Sequence, residues 1–67
     1  MEIRDLRNFI KVVQAGSFTK AAEQSFVSQP SLSKSIKRLE EELNVQLLER
    51  TTRFIRLTEE GKVVFEQ

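Results

Sequence analysis

Cysteine and histidine are both absent from the chain. That removes disulfides, thiolate nucleophiles and the common zinc ligands together. Carboxylates alone can hold a hard cation, but neither an Asp-x-Asp run nor a glycine-containing acidic loop is present. No nucleophile–base pair or glycine-rich phosphate loop occurs either, which makes an enzyme a weak reading and leaves the scattered carboxylates to solubility. Apolar residues come only in pairs and triplets, too short for a membrane span. Glu2 to Asp5 lacks the basic-then-apolar layout of a secretory signal. A soluble, cytoplasmic protein without metal or cofactor in this domain is the expectation. With 67 residues the chain makes one small domain, which buries roughly 60% of its unfolded surface and has to build its core economically.

Net charge is only +1, but the charges are segregated. Ser28–Leu39 carries Lys34, Lys37 and Arg38 and no acid; Glu40, Glu41, Glu42 and Glu49 follow; then come Arg50, Arg53 and Arg56. Two basic segments separated by an acidic one can form a single basic face on folding.

Proline and glycine are scarce, and their positions punctuate helices. Glu2 to Ala15 reads as a first helix, with Ile3, Leu6, Phe9, Ile10 and Val13 on one face and Gly16 at its stop. Glu2 and Asp5 near its start suit the helix dipole, and its role is that of a scaffold. Ser17 caps a short second helix, Phe18 to Ser25 or Phe26, in which Ala21 and Ala22 allow close approach and Phe18 and Phe26 seal the ends. Thr19 and Lys20 sit where a helix N-terminus attracts phosphate, or form an ordinary exposed first turn.

A third helix spans about 29–43, with Ser28 as N-cap and Pro30 in its first turn, where a missing amide costs nothing. Leu32, Ile36, Leu39 and Leu43 fall at i, i+4, i+7 and i+11 on one face. The opposite face carries Pro30, Lys34 and Lys37, flanked by Ser31, Ser33 and Arg38. Ser31, Ser33 and Ser35 are mediocre helix formers, but short hydroxyls let a helix enter a groove closely and donate to phosphates or base edges. Gln29 can present its amide to adenine or make other amide contacts. The Glu40–Glu42 run repels phosphate and confines a polyanion-facing surface to the first half of the helix. A merely solvated charged face is the alternative.

Beyond Val45, Ile55 and Leu57 flank Arg56 in strict alternation, and two short strands with a basic tip make a wing at about 48–57. Arg53 at or near the tip suits a narrow minor groove; Arg50 binds phosphate or pairs with a local Glu. Thr58 caps a last helix with Glu59 and Glu60 in its first turn. Gly61 inside that helix costs about 1 kcal/mol relative to Ala, hinting at a close helix contact. Val63, Val64 and Phe65 have little left to pack against before Gln67, so the chain looks cut off.

Ser17, Ser28-Gln29-Pro30-Ser31-Leu32-Ser33, Ile36-Lys37-Arg38-Leu39-Glu40 and Leu47-Leu48-Glu49-Arg50, continuing to Leu57-Thr58 and Gly61, together resemble the DNA-binding domain of LysR-type transcriptional regulators. The Ser-Gln-Pro step followed by Leu-Ser is the most specific part. The family usually has Leu at Ser25, Gly at Asn44, Pro at Gln46 and Phe at Leu48; Asn44 retains access to the left-handed conformation that a helix end needs. The resemblance implies a mainly α, winged helix-turn-helix fold: a three-helix core, a two-stranded wing and the start of a linker helix, divided as 1–58 and 59–67. It implies sequence-specific binding of duplex DNA, with an inverted-repeat operator as partner. Homo-oligomerisation through a linker helix and an effector domain beyond this chain is implied too, with a small-molecule effector held there. The residues expected on DNA are Thr19, Lys20, Ser28, Gln29, Pro30, Ser31, Ser33, Lys34, Lys37, Arg38, Arg50 and Arg53. A winged-helix module that offers the same basic face to an acidic protein is the competing reading, disfavoured because that face lacks aromatic anchors.

Overall fold

The computed structural model describes residues 2–50 and 55–66, with the backbone alone at Arg50. Helices α1 (Ile3–Ala15), α2 (Phe18–Ser25) and α3 (Gln29–Leu43) are followed by strands β1 (Leu48–Arg50) and β2 (Ile55–Leu57) and by helix α4 (Glu59–Glu66). The strands pair antiparallel, with Leu48 opposite Leu57 and Glu49 opposite Arg56. This is the expected winged helix-turn-helix.

Local chemistry sets the helix ends. Glu2 lies just outside α1 as its N-cap, and Gly16 closes that helix at φ 81°, its amide donating to Val12 O at 3.0 Å. Ser17 Oγ accepts from Lys20 N at 3.0 Å and starts α2. Ser28 Oγ accepts from Ser31 N at 3.2 Å and starts α3, with Pro30 in the first turn. At the far end of α3, Asn44 turns left-handed at φ 56°. There Val45 N donates to Glu40 O and Asn44 N to Glu41 O, the paired bonds of a Schellman stop.

Phe9 and Val12 of α1, Phe18 and Ala21 of α2, Leu32, Ile36 and Leu39 of α3, and Leu47 and Leu48 form the core. Each fully buried large side chain contributes about 1.5–3 kcal/mol, so α3 is held mainly by one apolar stripe. On α1 the buried line is Asp5, Phe9 and Val12, at i, i+4 and i+7, and Ile3 is 69% exposed. The expected apolar face was therefore centred about one residue off. A periodic reading of hydropathy leaves out a buried acid, and here the acid is on the line.

Three further expectations are corrected. Phe26 does not seal the end of α2: it is 96% exposed and sits in the left-handed region at φ 58°. Val64 and Phe65 do find packing, against the core, with the Phe65 ring edge-on to Phe9 at 6.5 Å. Gly61 makes its close approach to backbone, not to a helix, since a Cβ there would lie 2.1 Å from Leu47 O. Thr58 draws the chain into that position. Its hydroxyl donates to Gln46 O at 2.5 Å and accepts from Gly61 N at 2.9 Å, while its amide donates to Leu47 O at 3.0 Å.

Gly61→Ala gains about 1 kcal/mol of helix propensity but drives a methyl into a carbonyl that is itself hydrogen-bonded. The clash wins, and a net loss of about 2 kcal/mol or more is expected in urea unfolding. Phe26→Asn should act in the opposite sense. A left-handed non-glycine residue costs roughly 1–2 kcal/mol, asparagine tolerates that region, and an exposed ring forfeits little burial. A gain of about 0.5–1 kcal/mol is expected from the same measurement.

Candidate nucleic-acid interface

Helix α3 is gripped on three sides. Its apolar stripe faces the core. On one flank Arg38 donates to Asp5 from Nε at 2.8 Å and from Nη2 at 2.7 Å, and Asn8 Nδ2 donates to Ser35 Oγ at 2.9 Å. All three bonds join α3 to α1. On the other flank the Glu40 carboxylate accepts from Leu47 N at 2.7 Å and Leu48 N at 3.2 Å, tying the helix to the entry of β1. The fourth side is left to solvent, with Gln29, Pro30, Ser31, Lys34 and Lys37 all exposed.

The expected site residues divide accordingly. Gln29, Pro30, Ser31, Lys34 and Lys37 share the open side, and Ser33 is half-buried at its edge. Ser28 serves as the cap, and its hydroxyl also donates to Ser31 Oγ at 2.9 Å. Ser33 and Lys37 border a cleft with Gln46, Glu40 and Leu48, between α3 and the wing. Thr19 and Lys20 are exposed on the first turn of α2, but the Lys20 amide is already taken by Ser17. The Arg50 side chain and Arg53, with the rest of the expected tip at 51–54, lie outside the described residues.

Arg38 was expected on the open face, yet its guanidinium is committed by two bonds to Asp5 and its side chain is about half exposed (48%). Asp5 has no exposure at all. The Arg38 hydrogen bonds hold its carboxyl below the usual carboxylate range, against the opposing effect of burial, and the Ser35 hydroxyl lowers it further. Ser35, expected among the groove-facing hydroxyls, is buried instead. Glu40, expected to do no more than repel phosphate, is a clamp on two backbone amides. Its signal in the sequence was its place beside the apolar stripe, one turn after Ile36.

Comparison with known proteins decides the kinship. The family described as "Bacterial regulatory helix-turn-helix protein, lysR family" matches residues 3–62. The chain belongs to the LysR family. The HTH-type transcriptional regulator BenM of Acinetobacter baylyi is 50% identical over 66 residues, which cover 98% of this chain and 22% of that protein. The structure superposes on the DNA-binding domain of BenM in complex with its catB site 1 DNA with a TM-score of 0.94 at 50% identity, covering 98% of this chain and 74% of that one. It matches the DNA-binding domain of CbnR in complex with DNA with a TM-score of 0.95 at 44% identity, covering 98% of this chain and 76% of that one. The chain thus spans about a fifth of the length of the BenM regulator and carries the helix-turn-helix part of a LysR-family protein.

The Asp5–Arg38 pair gives this LysR-family domain a pH signature. Because the Asp5 carboxyl titrates lower in the folded chain than in the unfolded one, its contribution is fully present above the unfolded value and disappears as pH falls through the folded one. Asp5→Asn should lower the urea midpoint at neutral pH, and the gap to the parent should narrow below about pH 4. A gap that stays constant from pH 7 to pH 3 refutes the assignment.

Proposed function

We propose that this domain binds duplex DNA by laying the first half of α3 in the major groove, as one half of a dimeric LysR-type regulator. The observation that carries the proposal is the fourth side of α3: Gln29, Pro30, Ser31, Lys34 and Lys37 are exposed and free of acids, on a helix fixed along both flanks. Gln29 meets base edges, Pro30 gives apolar contact, and the lysines meet phosphates. Thr19 and Lys20 add contacts to the backbone, and the wing, through Arg50 and Arg53, reaches the adjacent backbone or minor groove. The exposed Glu41 and Glu42 mark where DNA contact along α3 stops. The BenM and CbnR domains, themselves solved on DNA, support this use of the fold.

In the whole protein, residues 59–67 begin a linker helix that joins two copies on an inverted-repeat operator, and an effector domain outside this chain holds a small molecule. The domain itself acts in the cytoplasm as a binding module without catalysis. A second reading gains one observation: the exposed Phe26 is the kind of anchor an acidic protein partner would use. Single exposed aromatics are common, however, and Phe26 lies in the turn rather than on the open side of α3.

The test is a set of fluorescence-anisotropy titrations on a random-sequence duplex and on a site selected from a random library. Gln29→Ala should reduce the preference for the selected site by about 1–3 kcal/mol while binding to random duplex changes little. Lys34→Ala should weaken binding to both and make the salt slope shallower by about 1. If the parent binds neither duplex, or if neither variant alters its quantity, the DNA reading of α3 fails.

A further inference from the structure

The flank of α3 away from the wing does not close flush against α1. A cleft of about 340 Å³ opens there, walled by Arg4 and Asn8 of α1, Val27 of the turn, and Ser31, Lys34 and Arg38 of α3. We propose that this cleft seats one phosphate of the DNA backbone and that Arg4 of α1 contacts it directly. The proposal rests on the DNA-binding reading of α3 and enlarges the interface by a helix that otherwise serves as scaffold.

A helix in the major groove lies between two rows of phosphates, one along each of its flanks. On this chain one flank meets the wing and the other meets α1, so the phosphate row on the second flank faces the cleft. The lining suits it. Three cations converge, and apart from Val27 every wall residue named is polar or charged. Among the described residues that line it there is no aromatic ring to stack a base, so the chemistry selects phosphate over nucleobase.

Three of the donors, Arg38, Ser31 and Asn8, are set in advance. Arg38 uses Nε and one Nη2 proton on Asp5; a guanidinium has five N–H groups, so the rest of the fork is available at the cleft, already held in one orientation. Ser31 Oγ accepts from Ser28 Oγ, which leaves its own proton to donate. Asn8 is fixed by Ser35 and has a second amide proton to offer. Lys34 stands on the shared edge between the cleft and the open side of α3, so the two surfaces are continuous.

The acids nearby do not block the site. Asp5 is buried and its charge is matched by Arg38. Glu2 pairs with Arg4 at 3.0 Å, but both side chains are well exposed, at 62% and 71%. Such surface pairs contribute little, and a phosphate displaces Glu2 readily. Glu42 also acts on Arg38 through space, yet it lies one turn further along α3 and does not line the cleft.

The experiment measures salt-dependent affinity of the chain for a random-sequence duplex, since a phosphate contact is indifferent to sequence. Arg4→Ala should weaken binding roughly three- to ten-fold at low salt and make the slope shallower by about 1. Glu2→Gln releases Arg4 and should tighten binding. Arg7→Ala removes the same charge from an exposed position of α1 outside the cleft and should leave the slope unchanged. Phosphate-ethylation interference should then find one phosphate whose modification weakens the parent but no longer matters to Arg4→Ala. The inference is overturned if Arg4→Ala keeps the parental slope, or if Arg7→Ala matches its effect, which would indicate diffuse charge. If Lys34→Ala also has no effect, or the parent fails to bind the duplex, it is the DNA reading itself that falls.

Discussion

A carboxylate with no exposure to water survives inside this small domain because a guanidinium takes both of its oxygens. The Asp5–Arg38 pair joins α1 near its start to α3 beyond its middle, and α3 is otherwise located by a single apolar stripe. A stripe alone fixes the distance of a helix from the core better than its rotation or its slide along its own axis. Directional bonds supply what is missing. Asp5–Arg38 and Asn8–Ser35 set one flank, the Glu40 carboxylate sets the other, and neither draws on Gln29, Pro30, Ser31, Lys34 or Lys37.

Helix starts and stops were legible because their chemistry is local: Ser17, Ser28 with Pro30, Gly16 and Asn44 act on neighbours a few residues away. The order of three helices, wing and final helix was legible for the same reason, helped by the LysR resemblance. What periodicity could not reveal was any residue whose role depends on a partner distant in the chain. Asp5 looked like a dipole-matching surface acid until Arg38 met it from the third helix, and Arg38 looked like a free cation for the same reason. Ser35 looked like a groove hydroxyl until Asn8 claimed it. Phe26 shows the converse failure. Its hydrophobicity promised burial, but it falls at the left-handed residue of a turn, and the backbone there carries its ring away from the core. Within the interface, the open residues of α3 follow directly from the stripe opposite them, whereas the cleft beside α1 needs the packing of two helices to exist.

Thr58 occupies a junction that neither the strands nor the last helix would suggest alone. With one hydroxyl and one amide it fastens the end of β2 to the carbonyls of Gln46 and Leu47 and caps α4 in the same motion. Those carbonyls belong to the segment whose amides, at Leu47 and Leu48, are held by Glu40. The wing is therefore anchored at its base from both sides, by Glu40 of α3 and by Thr58 at the head of α4.

The seating of α4 has a mechanical consequence. Gly61 presses on the Leu47 carbonyl, and four residues later Phe65 meets Phe9 edge to face, so the helix is pinned at two points along its length to different parts of the core. Two contacts of different kinds, one to backbone and one to a ring, therefore set how this helix lies on the core. A chain of contacts thus runs from α4 to α1 through Phe65 and Phe9, and from α1 to α3 through Asp5 and Arg38.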